Sequence, residues 1–99
     1  MSPQFSPKAI EDIYEISAYL EVDSYEAATR VAAQIFEACD SIAESPYLGH
    51  WRSEFPSRRI RVRAITPGST YLVVYDAEAI PVRILRIVHG ARDLRRATT

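Results

Sequence analysis

Residues 59–75 read RIRVRAITPGSTYLVVY, and this run decides the fold. From Arg59 to Ile65 polar and apolar residues alternate, placing Ile60, Val62 and Ala64 on one face and Arg59, Arg61 and Arg63 on the other. Thr66-Pro67-Gly68-Ser69 is a turn, and Thr70 to Tyr75 is apolar almost throughout, as a central strand should be. After a short connection at Asp76–Ile80, Val82 to His89 makes a third strand. Links this short require antiparallel pairing, because parallel neighbours need a long crossover.

Upstream the period changes from two to 3.6. Ser6-Pro7 is a helix start, and Ala9, Ile13, Ile16 and Leu20 then share one face, with Ile10 and Ser17 at its edge. Lys8, Glu11, Asp12 and Glu15 fall on the opposite, wet side of a helix expected from about Pro7 to Val22. Asp23-Ser24-Tyr25-Glu26 offers a capping-box-like start to a second helix. That helix aligns Ala27, Ala28, Val31, Ile35, Ala38, Cys39 and Ile42, and should stop near Ser45, ahead of Pro46. Phe36 lies outside this stripe, which fits either packing against the N-terminal Pro3-Gln4-Phe5 segment or a contact with a partner. Pro3-Gln4-Phe5 itself is an edge strand or a loose end, and Pro46 to Ser57 is a loop.

The expected architecture is α+β, a two-helix antiparallel hairpin packed on a three- to four-stranded mainly antiparallel sheet, with the other sheet face open. The 99 residues suit one domain, 1–99. The single Cys39 allows neither an internal disulfide nor a thiolate metal cluster, and His50 and His89 sit in different elements. No metal or cofactor is expected, and no Gly-rich phosphate loop or nucleophile motif is present. Without a membrane-length apolar run or a signal-peptide pattern at the N-terminus, the chain is expected to be cytoplasmic.

Charge is unevenly divided. Through His50 there are two basic residues against nine acidic ones, and from Trp51 onward ten arginines against four acids. Eleven of the twelve basic residues are arginine, the side chain fitted to bidentate contacts with carboxylate and phosphate. Either the halves neutralise each other within one fold, or the arginine surface serves a macromolecular partner. Arg59, Arg61 and Arg63 form one row. Arg83 and Arg86 are three apart, so period two sends them to opposite faces, and His89, Arg92, Arg95 and Arg96 cluster at the end. An edge strand guarded by charge would look the same.

The chain resembles the ParE/RelE superfamily of toxins from toxin–antitoxin pairs. The resemblance runs over nearly its whole length: Phe5-Ser6-Pro7, Glu44-Ser45-Pro46-Tyr47-Leu48-Gly49, Tyr71-Leu72-Val73-Val74-Tyr75 and, most specifically, Ile84 through His89-Gly90-Ala91-Arg92-Asp93, whose ending is similar to the ParE branch. It implies two hairpin helices on an antiparallel sheet, a ParD-like antitoxin wrapped over the working surface, and DNA gyrase as the target, with no catalytic set and no sequence-specific DNA binding by the toxin alone. Phe36, Arg59, Arg61, Arg63, Arg83, Arg86, His89 and Arg92 are the implied target- or antitoxin-binding residues. The RelE branch implies the alternative, a ribosome-dependent mRNA endonuclease using Arg59, Arg61, His89 and Arg92. Against it, Leu72 stands where that branch carries an arginine, and no tyrosine follows Tyr75. Loss of one such group typically lowers a rate by about 10²–10⁴. A pseudo-toxin that only binds an antitoxin is a third reading.

Overall fold

The structure, a computed structural model, describes residues 1–90, 93 and 94. In chain order it has β1 (Gln4–Phe5), α1 (Pro7–Glu21), α2 (Tyr25–Glu44), a 3-10 turn at Pro46–Leu48, β2 (Ile60–Ala64), β3 (Tyr71–Asp76) and β4 (Arg83–His89). The strands lie in the order β1-β4-β3-β2, with β1 parallel to β4 and the remaining pairs antiparallel. This is the expected α+β arrangement, with the N-terminal segment supplying the fourth strand.

The helix starts follow from side-chain caps. Ser6 Oγ accepts from the Ala9 amide at 3.0 Å, and Pro7 occupies the first helical position without removing a needed donor. For α2 the cap is Ser24 rather than Asp23: Ser24 Oγ accepts from the Ala27 amide at 3.1 Å. Between β2 and β3, Pro67 and Gly68 form the corners of a turn closed by Ser69 N donating to Thr66 O at 3.0 Å. Gly68 takes φ +79°, the left-handed conformation that glycine adopts without a steric penalty.

The principal core lies between the helices and the sheet. It joins Ala9 of α1 and Ile35, Ala38, Cys39 and Ile42 of α2 to Val73, Tyr75, Ile84 and Ile87 of the sheet. The far face is not open as expected. It carries a second apolar cluster of Phe55, Val62, Val74, Val88 and Leu94, with Trp51, Ile60 and Leu72 packed on it. The segment after the 3-10 turn therefore folds beneath the sheet, covering apolar side chains that strand alternation sends away from the helices.

A bulge in β4 alters a second expectation. Tyr75 pairs with Ile84 but Val74 pairs with Arg86, so Leu85 is an extra residue in the ladder. Ile84 and Ile87, three apart, consequently both enter the helix-side core. Their preceding neighbours Arg83 and Arg86 thus leave the strand on one side, not on opposite faces.

Asp12 corrects the helical wheel. Read as wet, it is 6% exposed and faces the sheet. Because β1 covers the outer edge of β4 only as far as Ile84, the next edge groups need other partners. Ser6 Oγ donates to Leu85 O at 2.8 Å, and Asp12 Oδ2 accepts from the Ile87 amide at 2.9 Å. The start of α1 completes the edge where the short strand ends.

Candidate functional site

Of the arginines expected to form one binding row, Arg59 and Arg61 prove to be individually engaged. Arg59, just before β2, places Nε 2.8 Å from Asp76 Oδ1 and 3.0 Å from Oδ2. Arg61 and Arg63 lie opposite Tyr75 and Val73, which puts both on the helix side of edge strand β2. The Arg61 guanidinium sits 4.8 Å from the Tyr47 ring centre and donates from Nη1 to Gly49 O at 2.9 Å. Its Nε, and Nη1 of Arg63, are buried without a hydrogen-bond partner among the described residues. Arg63 borders a hollow of about 290 Å³ with Glu37, Ala38 and Ser41 of α2 and Thr66 and Pro67 of the turn.

Arg86 is held by Asp12, Nε to Oδ2 at 2.8 Å and Nη2 to Oδ1 at 3.0 Å, a bidentate pair linking β4 to α1. Arg83 is exposed, on the cross-strand position from Asp76. His89 is exposed, with its ring 4.9 Å from that of Tyr71. Arg92, Arg95 and Arg96 lie outside the described residues. The arrangement thus divides the set: Arg59 and Arg86 are neutralised, Arg61 is tethered to a loop, and Arg83 projects freely among the described residues. Arg58, a residue the sequence reading passed over, stacks 4.3 Å above the Trp51 ring.

The Arg59–Asp76 pair has a consequence in acid. Partial burial pushes the Asp76 carboxyl up, but hydrogen bonds from Arg59 and from the Glu78 and Ala79 amides outweigh this and hold it below its ordinary value. A carboxyl lowered by folding contributes stability that is complete above the unfolded value and fades as pH falls through the folded one. Asp76→Asn is therefore expected to lower Tm at neutral pH by only a few degrees, since exposed pairs contribute little. It should also flatten the decline between about pH 4 and the acid limit. Urea denaturation of both proteins across that range checks this; parallel acid limbs would contradict it.

Phe36 packs against the N-terminal strand, the first of the two readings the sequence offered. Its ring meets Phe5 of β1 edge-on at 5.8 Å, yet it remains 48% exposed. It forms one wall of an apolar groove of about 520 Å³ lined by Phe5, Ile10, Ile13, Tyr14, Ser17, Ala32 and Phe36. Among the described residues no charged side chain lines this groove. Sequence reasoning missed Tyr14 here because a tyrosine on a wet helical face carries no periodic signal.

Burial pushes the Cys39 thiol up to about 12, with Asp40 adding to the shift, so it is protonated and inert. No group of three metal-ligating side chains occurs among the described residues. No helix among them is long and apolar enough to cross a membrane.

A two-helix hairpin on this mixed sheet, with a half-exposed apolar groove and an arginine-bearing edge, defines a small α+β protein. Its relatives say which kind. The family model for the ParE toxin of type II toxin–antitoxin systems, parDE, matches residues 4–94. Y4kP of Sinorhizobium fredii, a protein named as a candidate toxin, is 37% identical over 83 residues, covering 84% of this chain and 81% of that protein. A solved structure of a chromosomal ParDE system from P. aeruginosa shares the fold, with a TM-score of 0.71 at 20% identity over 91% of this chain and 96% of that one. The chain belongs to the ParE toxin family of type II toxin–antitoxin systems.

Proposed function

We propose that this toxin acts on DNA gyrase as a protein inhibitor and is silenced by a ParD-like antitoxin. The observation that carries the antitoxin half is the groove beside Phe36. An apolar cleft rimmed by two helices is the shape that accepts the apolar face of a partner helix, and its exposed aromatics are the residue type that dominates interface energies. An antitoxin tail that orders on binding would cover the groove and reach the sheet edge.

For the target, three features weigh toward gyrase over messenger RNA. Leu72, where the nuclease branch carries an arginine, packs into the second apolar cluster. Arg61 is fixed to Gly49 O, and the His89 ring packs at a 60° tilt against Tyr71 with no ion pair among the described residues. Neither geometry presents a general acid–base pair at hydrogen-bond reach among the described residues.

The purified chain is expected to inhibit gyrase supercoiling and to accumulate cleaved DNA, while leaving messenger RNA intact in a translating extract. Unaffected gyrase at high molar excess would overturn the target; cut messenger RNA would establish the nuclease reading instead. For the partner, Phe36→Glu should weaken binding of the antitoxin encoded beside this gene by at least about tenfold, as expected for loss of an interface aromatic. Titration calorimetry reads this, and unchanged affinity would move the antitoxin off the groove.

A further inference from the structure

On the opposite flank of α1 from the apolar groove lies a second recess, between that helix and the end of the sheet. Glu15, Ile16 and Tyr19 of α1 face Tyr71 of β3 and His89 of β4 across a hollow of about 300 Å³. It is continuous through Glu15, Ile16 and His89 with a neighbouring hollow of about 250 Å³ that Asp12, Arg86 and Asp93 also line.

We propose that this recess is a receptor for a basic side chain, a guanidinium or ammonium group presented by a protein partner. Tyr19, Tyr71 and His89 contribute aromatic rings to the lining and Glu15 a carboxylate, the composition that attracts a cation with an alkyl stem. Tyr19 is 74% exposed and so can close over an occupant without disturbing the core. Burial pushes the Tyr71 phenol up, with Tyr19 close enough to add to the effect.

The charge of the described lining disfavours the opposite ligand. Arg86, the one arginine or lysine among the described lining residues, is held by both oxygens of Asp12. Among the described residues neither Glu15 nor Asp93 makes a hydrogen bond or a close ion pair, and Glu15 acts on the Arg86 guanidinium only at longer range. A phosphate or carboxylate entering here would meet like charge. An entirely apolar occupant would bury Glu15 without a partner. Only a cation satisfies the carboxylate and the rings together. This assignment does not depend on gyrase being the target.

The test uses the intact chain and a small probe, Nα-acetyl-arginine methylamide, followed by NMR. Saturable shifts are expected at Glu15, Tyr19, Tyr71 and His89, with affinity falling as salt is raised. The citrulline analogue, which keeps the shape and loses the charge, should bind at least about fivefold more weakly. Glu15→Gln should produce a similar fivefold loss for the arginine probe, and Tyr19→Leu a loss of about threefold. Both positions are exposed, and the spectrum of each variant reports that it remains folded. Equal binding of arginine and citrulline, an unaltered affinity in Glu15→Gln, or no saturable shift up to the solubility limit would each overturn the proposal.

Discussion

Asp12→Ala is expected to destabilise the fold by about 3 kcal/mol, a fall in Tm of roughly 15 °C for a domain of this size. The carboxylate accepts three hydrogen bonds at 2.8–3.0 Å, two from Arg86 and one from the Ile87 amide. Removing it leaves a guanidinium only 27% exposed without its counter-ion and a strand-edge amide without an acceptor. Breaking a buried pair from one side typically costs about 3–5 kcal/mol, and the partial exposure of Arg86 places the effect at the lower end. Asp12→Asn keeps one carbonyl acceptor and should lose about half as much. Arg86→Met removes the charge together with the need to neutralise it, so the double variant should be less damaged than the two single losses added. Denaturant midpoints at constant slope measure all four proteins. A loss below about 1 kcal/mol for Asp12→Ala would mean that α1 is held by its apolar face alone.

The same residue marks the boundary of what the sequence makes legible. Period two in residues 59–75 and period 3.6 in residues 7–44 are local signals, and the elements they imply are the ones observed. A helical wheel also sorts Asp12 correctly by polarity. It cannot register that β1 ends after two residues and leaves the edge of β4 in need of an acceptor on that side of the helix. The bulge at Leu85 is similarly silent, since no glycine announces it, and an uninterrupted alternation then misplaces Arg83 relative to Arg86. The second core was hidden for another reason. Trp51 and Phe55 sit among serines, prolines and arginines, so their stretch reads as loop although it packs beneath Val62, Val74 and Val88.

The candidate contacts divide along the same line. Phe36 stood out because it broke a periodic stripe, and it does line a groove. The arginine row stood out by composition, but composition does not reveal which guanidinium has found a carboxylate. Arg59 and Arg86 have done so at 2.8 Å, whereas the row's next members Arg61 and Arg63 retain buried nitrogens without partners among the described residues. Partner choice in these cases depends on residues 17 and 74 positions away in the chain, beyond any local pattern.

Gly49→Ala should be the second most damaging of these changes, at about 2–3 kcal/mol, and the reason is space rather than backbone freedom. Gly49 has φ −75°, open to any residue. What forbids a side chain is Tyr75, wholly buried, whose hydroxyl donates to Pro46 O at 2.6 Å and accepts from the Gly49 amide at 2.9 Å. A Cβ at Gly49 would overlap that hydroxyl and stand 2.9 Å from two ring carbons. Tyr75 cannot retreat, because its ring is packed within the principal core. The 46–49 segment must move instead, and with it Gly49 O, the acceptor for Arg61, and the Tyr47 ring above the same guanidinium. The variant should therefore release Arg61 as well as weaken the fold, seen as a shifted Arg61 side-chain resonance. Tyr75→Phe alone strands Pro46 O and the Gly49 amide at about 1–2 kcal/mol. In that background the worst overlap is gone, so Gly49→Ala should cost about 1 kcal/mol less than it does in the parent. Strict additivity of the two changes would show that the alanine acts on the backbone and that the tyrosine hydroxyl does not set the position of this loop.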